Sequence, residues 1–353
     1  MSTNKWKDFV DKNLFTTKED FYHLPYLSNS PAIKIASIVD ISIATHNVES
    51  QTIATKNDLC TGVLRYRNLE EGLWLLSTTL SLKNNIVAKT YYDNNLDSDF
   101  YFLSFSIFEY NFPSIKGSGP KKLLSKCWTF YKPQTEVSTY FYKDTVGTFY
   151  NIIFSKKWVE HNIPQLCGAN TETVLQFLNN ETGFLSCLDI VPSMSETAAK
   201  IDSILKNKNT PITDSSNLNV IVNGLISEFF DVVINQNRIQ NYESIKNEDY
   251  DRAAQAEKII LQNLSKPFVG VAFLSESVHL SPTKLKAIFK MVFGLSMLQY
   301  HKQKNLQLAM QLLLKSEIPI KHIATITGYG SSSKFTSAFK HNFAALPSEM
   351  RNK

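Results

Sequence analysis

Apolar residues alternate with others through IKIASIVDISIA, where Ile33, Ile35, Val39, Ile41 and Ile43 mark the pattern, and through LWLLSTTLSL, where Trp74, Leu76, Leu80 and Leu82 do. A period of two is that of a half-buried strand, so both stretches are predicted as strands. Aromatic-rich runs over residues 99–110 and 138–155 extend the series, and Asn, Asp, Gly and Pro separate the runs without a helical pattern between them. Such spacing predicts an antiparallel β-sandwich or barrel of about 130 residues. Residues 1–32, broken by Pro25 and Pro31, read as a lead-in segment.

From Thr171 the period becomes helical. Leu175, Phe177 and Leu178 begin it, residues 194–205 continue it, and residues 217–240 carry Leu218, Ile221, Val222, Leu225, Phe229, Val232 and Val233 at helix spacing. That long stripe fits either the core of a domain or a subunit interface, and the pattern leaves both open. A polar run over residues 241–249 reads as linker, with Asp251 as the cap of the next helix.

Residues 297–316 predict one further long helix, with Leu306, Ala309, Met310 and Leu313 on one face and Lys302, Lys304 and Gln307 mostly elsewhere. On either side the sequence nearly repeats itself. SPTKLKAIFKMVFG begins at Ser281 and SSSKFTSAFKHNFA at Ser331, pairing Lys284 with Lys334, Leu285 with Phe335, Phe289 with Phe339, Lys290 with Lys340 and Phe293 with Phe343. Each copy opens on a serine suited to cap a helix, and Pro282 stands where a missing N–H costs nothing. A short helix precedes each copy, over residues 268–277 and 320–327, and Gly328 supplies the positive φ that a tight exit from the second requires. Short helix, turn and second helix, twice, is the grammar of a double helix-turn-helix.

Charge sharpens the picture. The 353 residues carry a modest net +5, but residues 251–353 hold 14 Lys and Arg against 5 Asp and Glu, a net of +9, and the remainder is net −4. If Leu285, Ile288, Phe289 and Val292 face the core, then Thr283, Lys286, Ala287 and Lys290 share a cationic outer face narrow enough for a DNA major groove. Elsewhere composition mainly excludes. With 43% hydrophobic and 20% charged residues the chain is neither fibrous nor disordered. Residues 1–8 lack an apolar signal core and no uninterrupted apolar stretch nears the roughly 20 residues of a bilayer span, so no membrane is expected and the compartment is the cytoplasm. Cys60, Cys127, Cys167 and Cys187 show no C-x-x-C spacing and read as buried thiols. No cofactor or metal site is expected, the one open alternative being a spatial cluster of His46, His161 and a cysteine. The loop over residues 116–122 lacks the G-K-[ST] ending of a phosphate cradle and reads as a hairpin loop. With no H-E-x-x-H, G-x-S-x-G or paired-carboxylate arrangement, the chain is not expected to be an enzyme.

Residues 250–353 resemble the DNA-binding domain of the AraC/XylS family of transcription regulators. The resemblance rests on Leu298, Tyr300, Leu306, Ala309 and Leu312, Leu313 and Leu314 of the long helix, on Ile323, Ala324, Gly328 and Tyr329, and on Phe335, Phe339, Lys340, Pro347, Ser348 and Arg351. Asn305 departs from the pattern where Arg is usual, as do Ser275, Tyr329 and Ala344. Ser193, Met194, Ser195 and Glu196, with Leu285 and Lys286 and the strand motif Leu103, Ser104 and Phe105, are similar to the pyochelin-regulator-like branch, which implies a ferric siderophore as a candidate effector.

The resemblance implies a cupin-like barrel in the N-terminal half, RNA polymerase as a partner and activation as the outcome. The expected fold is therefore α+β: a β-rich effector domain over residues 1–165, a helical connecting or dimerisation region over 166–240, a linker over 241–249 and the DNA-binding domain over 250–353. The expected function is sequence-specific binding of double-stranded DNA by an effector-responsive regulator, with a homodimer as its assembly. Aligned on the family pattern, Thr283, Lys286, Ala287, Ser332, Ser333, Thr336 and Ser337 are base-reading candidates, and Lys284, Lys290, Lys334 and Lys340 are phosphate candidates. The rival readings are a barrel enzyme or ligand carrier with a basic helical attachment domain, and an effector-independent architectural DNA binder.

Overall fold

The computed structural model describes the chain except residues 1–2, 15, 19, 42–43, 113–120, 180–182, 189–193, 207–211, 237–238, 240–245, 265, 316–317, 344 and 352–353. It divides into two compact units, Met1–Ser106 with Lys126–Tyr250, and Ile107–Ser125 with Asp251–Lys353.

The first unit opens with helix α1 (Thr3–Asn13), strands β1 (Thr17–Lys18) and β2 (Phe21–Leu27) and helix α2 (Pro31–Val39). Strands β3 (Ala44–Asn47), β4 (Thr52–Lys56), β5 (Cys60–Glu70), β6 (Leu73–Leu82), β7 (Ile86–Tyr91), β8 (Phe100–Phe112), β9 (Lys121–Tyr131), β10 (Ser138–Phe141) and β11 (Val146–Ser155) follow. Helices α3 (Lys156–Cys167) and α4 (Thr171–Asn179), strand β12 (Phe184–Leu188) and helices α5 (Met194–Lys206) and α6 (Ile212–Asn235) close it. Eight strands form one sheet in the order β12-β9-β8-β11-β6-β5-β4-β3, and four form a second in the order β1-β2-β7-β10. The antiparallel expectation holds for most of both sheets; β2 and β7, however, run parallel, pairing Tyr22 with Ile86 and Leu27 with Tyr91.

Two expectations for the N-terminal half are corrected. Residues 31–39 are helical although their isoleucines alternate, because Ser30 caps the segment by accepting from the Ile33 N–H at 3.2 Å and Pro31 fits the first turn. Capping chemistry outweighs a short run of alternation. The lead-in is also part of the core: Trp6 and Val10 of α1 are buried with Leu27 and Ile41. The other strand predictions meet β6, β8, β10 and β11.

On β9 the rings of Trp128 and Phe130 lie 5.7 and 5.9 Å from Phe229 of α6, and Phe230 meets Phe130 edge-on at 5.9 Å. The apolar stripe of α6 is thus spent on its own domain, although Val220 remains exposed. Residues Ser216–Asn235 are long and apolar enough on average to cross a membrane, although Asn217, Asn219, Asn223, Glu228 and Asp231 interrupt the stretch, and Val222, Leu225, Ile226, Phe229 and Phe230 lie within this core. Polar latches set the helices against the sheet. The Glu70 carboxylate accepts from Trp158 Nε1 at 2.6 Å and Asn219 Nδ2 at 3.1 Å, and Tyr150 donates its hydroxyl hydrogen to Asp202 at 2.9 Å. Cys60 and Cys167 are buried, whereas Cys127 is only half-buried, and Cys187 lies outside the described side chains. Among the described residues no group of three His, Cys, Asp or Glu converges on a metal-sized site. The loop over residues 116–122 falls outside the described residues up to Pro120.

Helices α7 (Asn247–Gln262), α8 (Val271–Ser277), α9 (Pro282–Phe293), α10 (Met297–Lys315), α11 (Ile320–Ile326), α12 (Ser332–Phe343) and α13 (Pro347–Arg351) complete the chain. Helix α7 starts four residues before Asp251, so that residue lies inside the helix rather than at its cap, and residues 247–249 of the expected linker are helical. The short helix expected from Phe268 starts instead at Val271, behind Gly270 at φ 88°, a conformation that no helix includes.

Candidate nucleic-acid interface

Both helix-turn-helix units are built by the same local devices. In the first, Val278 closes α8, His279 takes φ 55°, and the Leu280 N–H reaches back to the Ser275 carbonyl at 3.0 Å. In the second, Thr327 closes α11, Gly328 takes φ 78°, and the Tyr329 N–H reaches the Ala324 carbonyl at 2.9 Å. A left-handed residue followed by a bond spanning five residues is the Schellman termination, which satisfies carbonyls the helix leaves free. Gly330 then adds one residue before Ser331, where the first unit passes directly from Leu280 to Ser281. The structural match is therefore Gly328 with His279, one position away from the simple fifty-residue offset of the reading helices.

The second helix of each unit starts alike. Ser281 accepts from the Lys284 N–H and Ser331 from the Lys334 N–H, both at 3.3 Å. Leu285, Phe289, Phe335 and Phe339 are wholly buried. Tyr329 meets Phe335 edge-on at 5.4 Å, which couples the turn to the start of α12. Helix α9 ends on Gly294 at φ 74°, its N–H donating to Lys290 O at 2.8 Å.

With these anchors inside, the opposite face of α9 leaves Thr283, Lys284, Lys286, Ala287 and Lys290 exposed together. On α12, Ser333, Lys334, Ser337 and Lys340 are exposed, and Ser332 and Thr336 are half-buried at its edge. Neither helix contains an acid. The two faces can therefore approach polyanionic phosphate without self-repulsion and offer N–H and O–H donors to base edges. Lys321 and His322, exposed in the first turn of α11, add positive charge that the sequence reading passed over, because it attended only to the second helix of each unit. Basic residues on the first helix, which crosses the backbone in this class of motif, would have been the signal.

Helix α10 is less simply divided than its pattern suggests. Leu306, Ala309 and Leu313 are buried as expected, but Lys304 and Asn305 are buried too. Glu257 of α7 accepts from the Tyr300 hydroxyl, and the Lys304 ammonium lies 5.4 Å from the Tyr300 ring. Burial raises the Glu257 carboxyl above its usual range, opposed by the Tyr300 hydrogen bond and Lys304. Asn305 Nδ2 meets the His301 ring at 3.2 Å, and that ring packs on Phe268 at 5.6 Å. Burial lowers the His301 pKa, consistent with a neutral imidazole serving as a packing element.

Residues 274–353 match the family model described as a helix-turn-helix domain. The chain is 33% identical over 91 residues to the probable transcriptional regulator LumQ of Photobacterium leiognathi, a match covering 26% of this chain and 36% of that protein. Over 101 residues it is 28% identical to the arabinose operon regulatory protein of Escherichia coli K12, covering 29% of this chain and 35% of that one. The C-terminal domain is an AraC-type helix-turn-helix domain. Among solved structures, the C-terminal domain of AraT from Geobacillus stearothermophilus is 27% identical and covers 29% of this chain and 84% of its own, with a TM-score of 0.28. The chain thus spans only about a third of the length of these curated relatives.

Proposed function

We propose that the protein is a sequence-specific DNA-binding transcription regulator of the effector-responsive, activating kind, and not an enzyme. The observation that carries this is the repetition of one device: two units, each ending its first helix in a left-handed residue and presenting an acid-free, donor-rich second helix. Thr283, Lys286 and Ala287 of α9, with Ser332, Ser333, Thr336 and Ser337 of α12, are assigned to base edges. Lys284, Lys290, Lys334 and Lys340, with Lys321 and His322, are assigned to phosphates. The cytoplasm, a second copy of the chain, RNA polymerase and a small-molecule effector are the setting and partners this reading calls for.

Selection of sites from randomised duplex DNA by the purified full-length protein tests it. The expected result is a defined motif with two half-sites about one helical turn, roughly 34 Å, apart. Binding with no preferred sequence would favour an architectural DNA binder, and no binding at low salt would return the basic domain to an attachment role.

A further inference from the structure

Two neighbouring residues of α10 address the two helix-turn-helix units separately. The Tyr300 ring touches the first unit directly, lying 5.5 Å from Phe289 and 5.3 Å from Phe293 of α9. His301, only 6% exposed, meets instead the connection between α7 and α8, where its ring lies 5.6 Å from that of Phe268. The same connection touches the second unit. Its Lys266 carbonyl oxygen stands 3.4 Å from where a Cβ on Gly328 would lie, so the second turn passes close beside it. The connection is also folded back on itself: the Lys266 N–H donates to the Asn263 carbonyl at 3.2 Å, and Lys266 Nζ donates to Asn263 Oδ1 at 3.4 Å. Burial lowers the His301 pKa, and backbone hydrogen bonds with Asn263 and Lys266 oppose the fall, in keeping with the Phe268 contact.

Helix α10 has 19 residues and is about 28 Å long. Were it the only link between the units, a tilt of about ten degrees at one end would move the far unit by about 5 Å, more than the roughly 3.4 Å between base pairs. Arg351 donates to the Ile318 carbonyl and secures the exit of α10, but that bond does not refer to the first unit. A connection that leads into α8 and packs on the turn after α11 does refer one unit to the other, because close-packed contacts transmit displacement rather than absorb it. We propose that the connection between α7 and α8 is a brace fixing the separation and rotational phase of the two reading helices, and that His301, through Phe268, is its positioning residue. His301 reads no base. Its part is to make the protein accept one half-site spacing and reject its neighbours.

This role rests on the DNA-binding reading above, and one arm of its test does not use DNA. Full-length wild type and His301→Ala are each taken through selection from randomised duplex DNA. Wild type is expected to return one spacing, and the variant the same half-site sequences at spacings spread over about one or two base pairs. One base pair inserted into the selected duplex turns the far half-site by about 35°, and should weaken wild type about tenfold or more but the variant less than about threefold. Phe268→Ala should behave like His301→Ala, whereas Phe268→Tyr, which keeps the ring, should keep the wild-type spacing. Unchanged spacing in either alanine variant, loss of the half-site sequences themselves, or failure of both variants to fold would overturn the role. Hydrogen exchange of the unliganded full-length proteins is the second arm. In His301→Ala the amides over residues 326–331 should exchange severalfold faster, while those of the matching turn over residues 277–282 do not change. Equal acceleration in both turns, or in neither, would overturn the brace. A wild type that selects no motif while this difference persists would remove the regulator and leave the brace.

Discussion

Two lysines one turn apart on α9 are both exposed, yet they face different tasks. Lys286 shares the centre of the outer face with Thr283 and Ala287 and is the lysine proposed to read guanine O6 and N7, whereas Lys290 lies toward the helix end and is proposed to meet phosphate. Lys286→Ala is expected to cost about 1 to 3 kcal/mol on the best site and to relax preference at one base pair. Lys290→Ala should weaken all sequences alike and flatten the salt slope by about one unit. Competition binding against a randomised half-site checks both. In the other unit, Lys34 makes stability depend on pH. Its folded pKa of about 7 lies below the ordinary 10.5, so between those values the unfolded chain binds more protons than the folded one. The penalty for burying the amine is complete below pH 7 and fades as pH rises toward 10.5. Thermal melts from pH 7 to 10 should therefore show any stability advantage of Lys34→Met over wild type shrinking with rising pH.

At the scale of elements, the paired turns make a controlled comparison. Both carry a left-handed residue at the same structural position, but one uses His279 and the other Gly328. A Cβ on Gly328 would meet only the Lys266 carbonyl oxygen, at an ordinary 3.4 Å, so the cost of a side chain there lies in φ rather than in a clash. Gly328→Val is expected to destabilise the C-terminal domain by about 1 to 2 kcal/mol and to lower DNA affinity by misaligning α12. Conversely, His279→Gly should raise stability by about 0.5 to 1 kcal/mol, since it relieves the same strain and loses only part of that to backbone entropy. Urea denaturation of the two variants decides whether the turns are equivalent. Unchanged stability in both would place the strain elsewhere.

At the scale of the molecule, the C-terminal domain contains both reading helices, the helix between them and an internal polar network of Glu257, Tyr300, His301 and Asn305 that ties α7 to α10. Residues 246–353 alone are therefore expected to fold and to protect roughly two helical turns of DNA, with affinity falling steeply with salt. Footprinting of that fragment beside the full-length protein checks it, and a fragment lacking helical circular dichroism would show that α7 needs the rest of the chain. The N-terminal unit should melt independently of DNA, because its aromatic core from Trp128 to Phe230 is its own.

The double helix-turn-helix was legible in the sequence because its signals are local. Serine caps, a glycine exit and apolar residues three and four apart act within one or two turns, so α9, α10 and α12 follow from neighbouring residues alone. Strands β6, β8 and β11 were legible for the same reason. Long-range packing settled the rest. Residues 31–39 alternate like a strand, yet the Ser30 cap and the burial of Lys34, Ile35 and Ser37 beneath β2 make them a helix, and with it place an ammonium inside the domain. The parallel pairing of β2 with β7 joins segments some sixty residues apart and has no local signature. Likewise Lys304 and Asn305, polar residues on a helix whose apolar stripe looked sufficient, are buried, and Lys304 has the Glu257 carboxylate of α7 nearby, a partner forty-seven residues away that periodicity does not register.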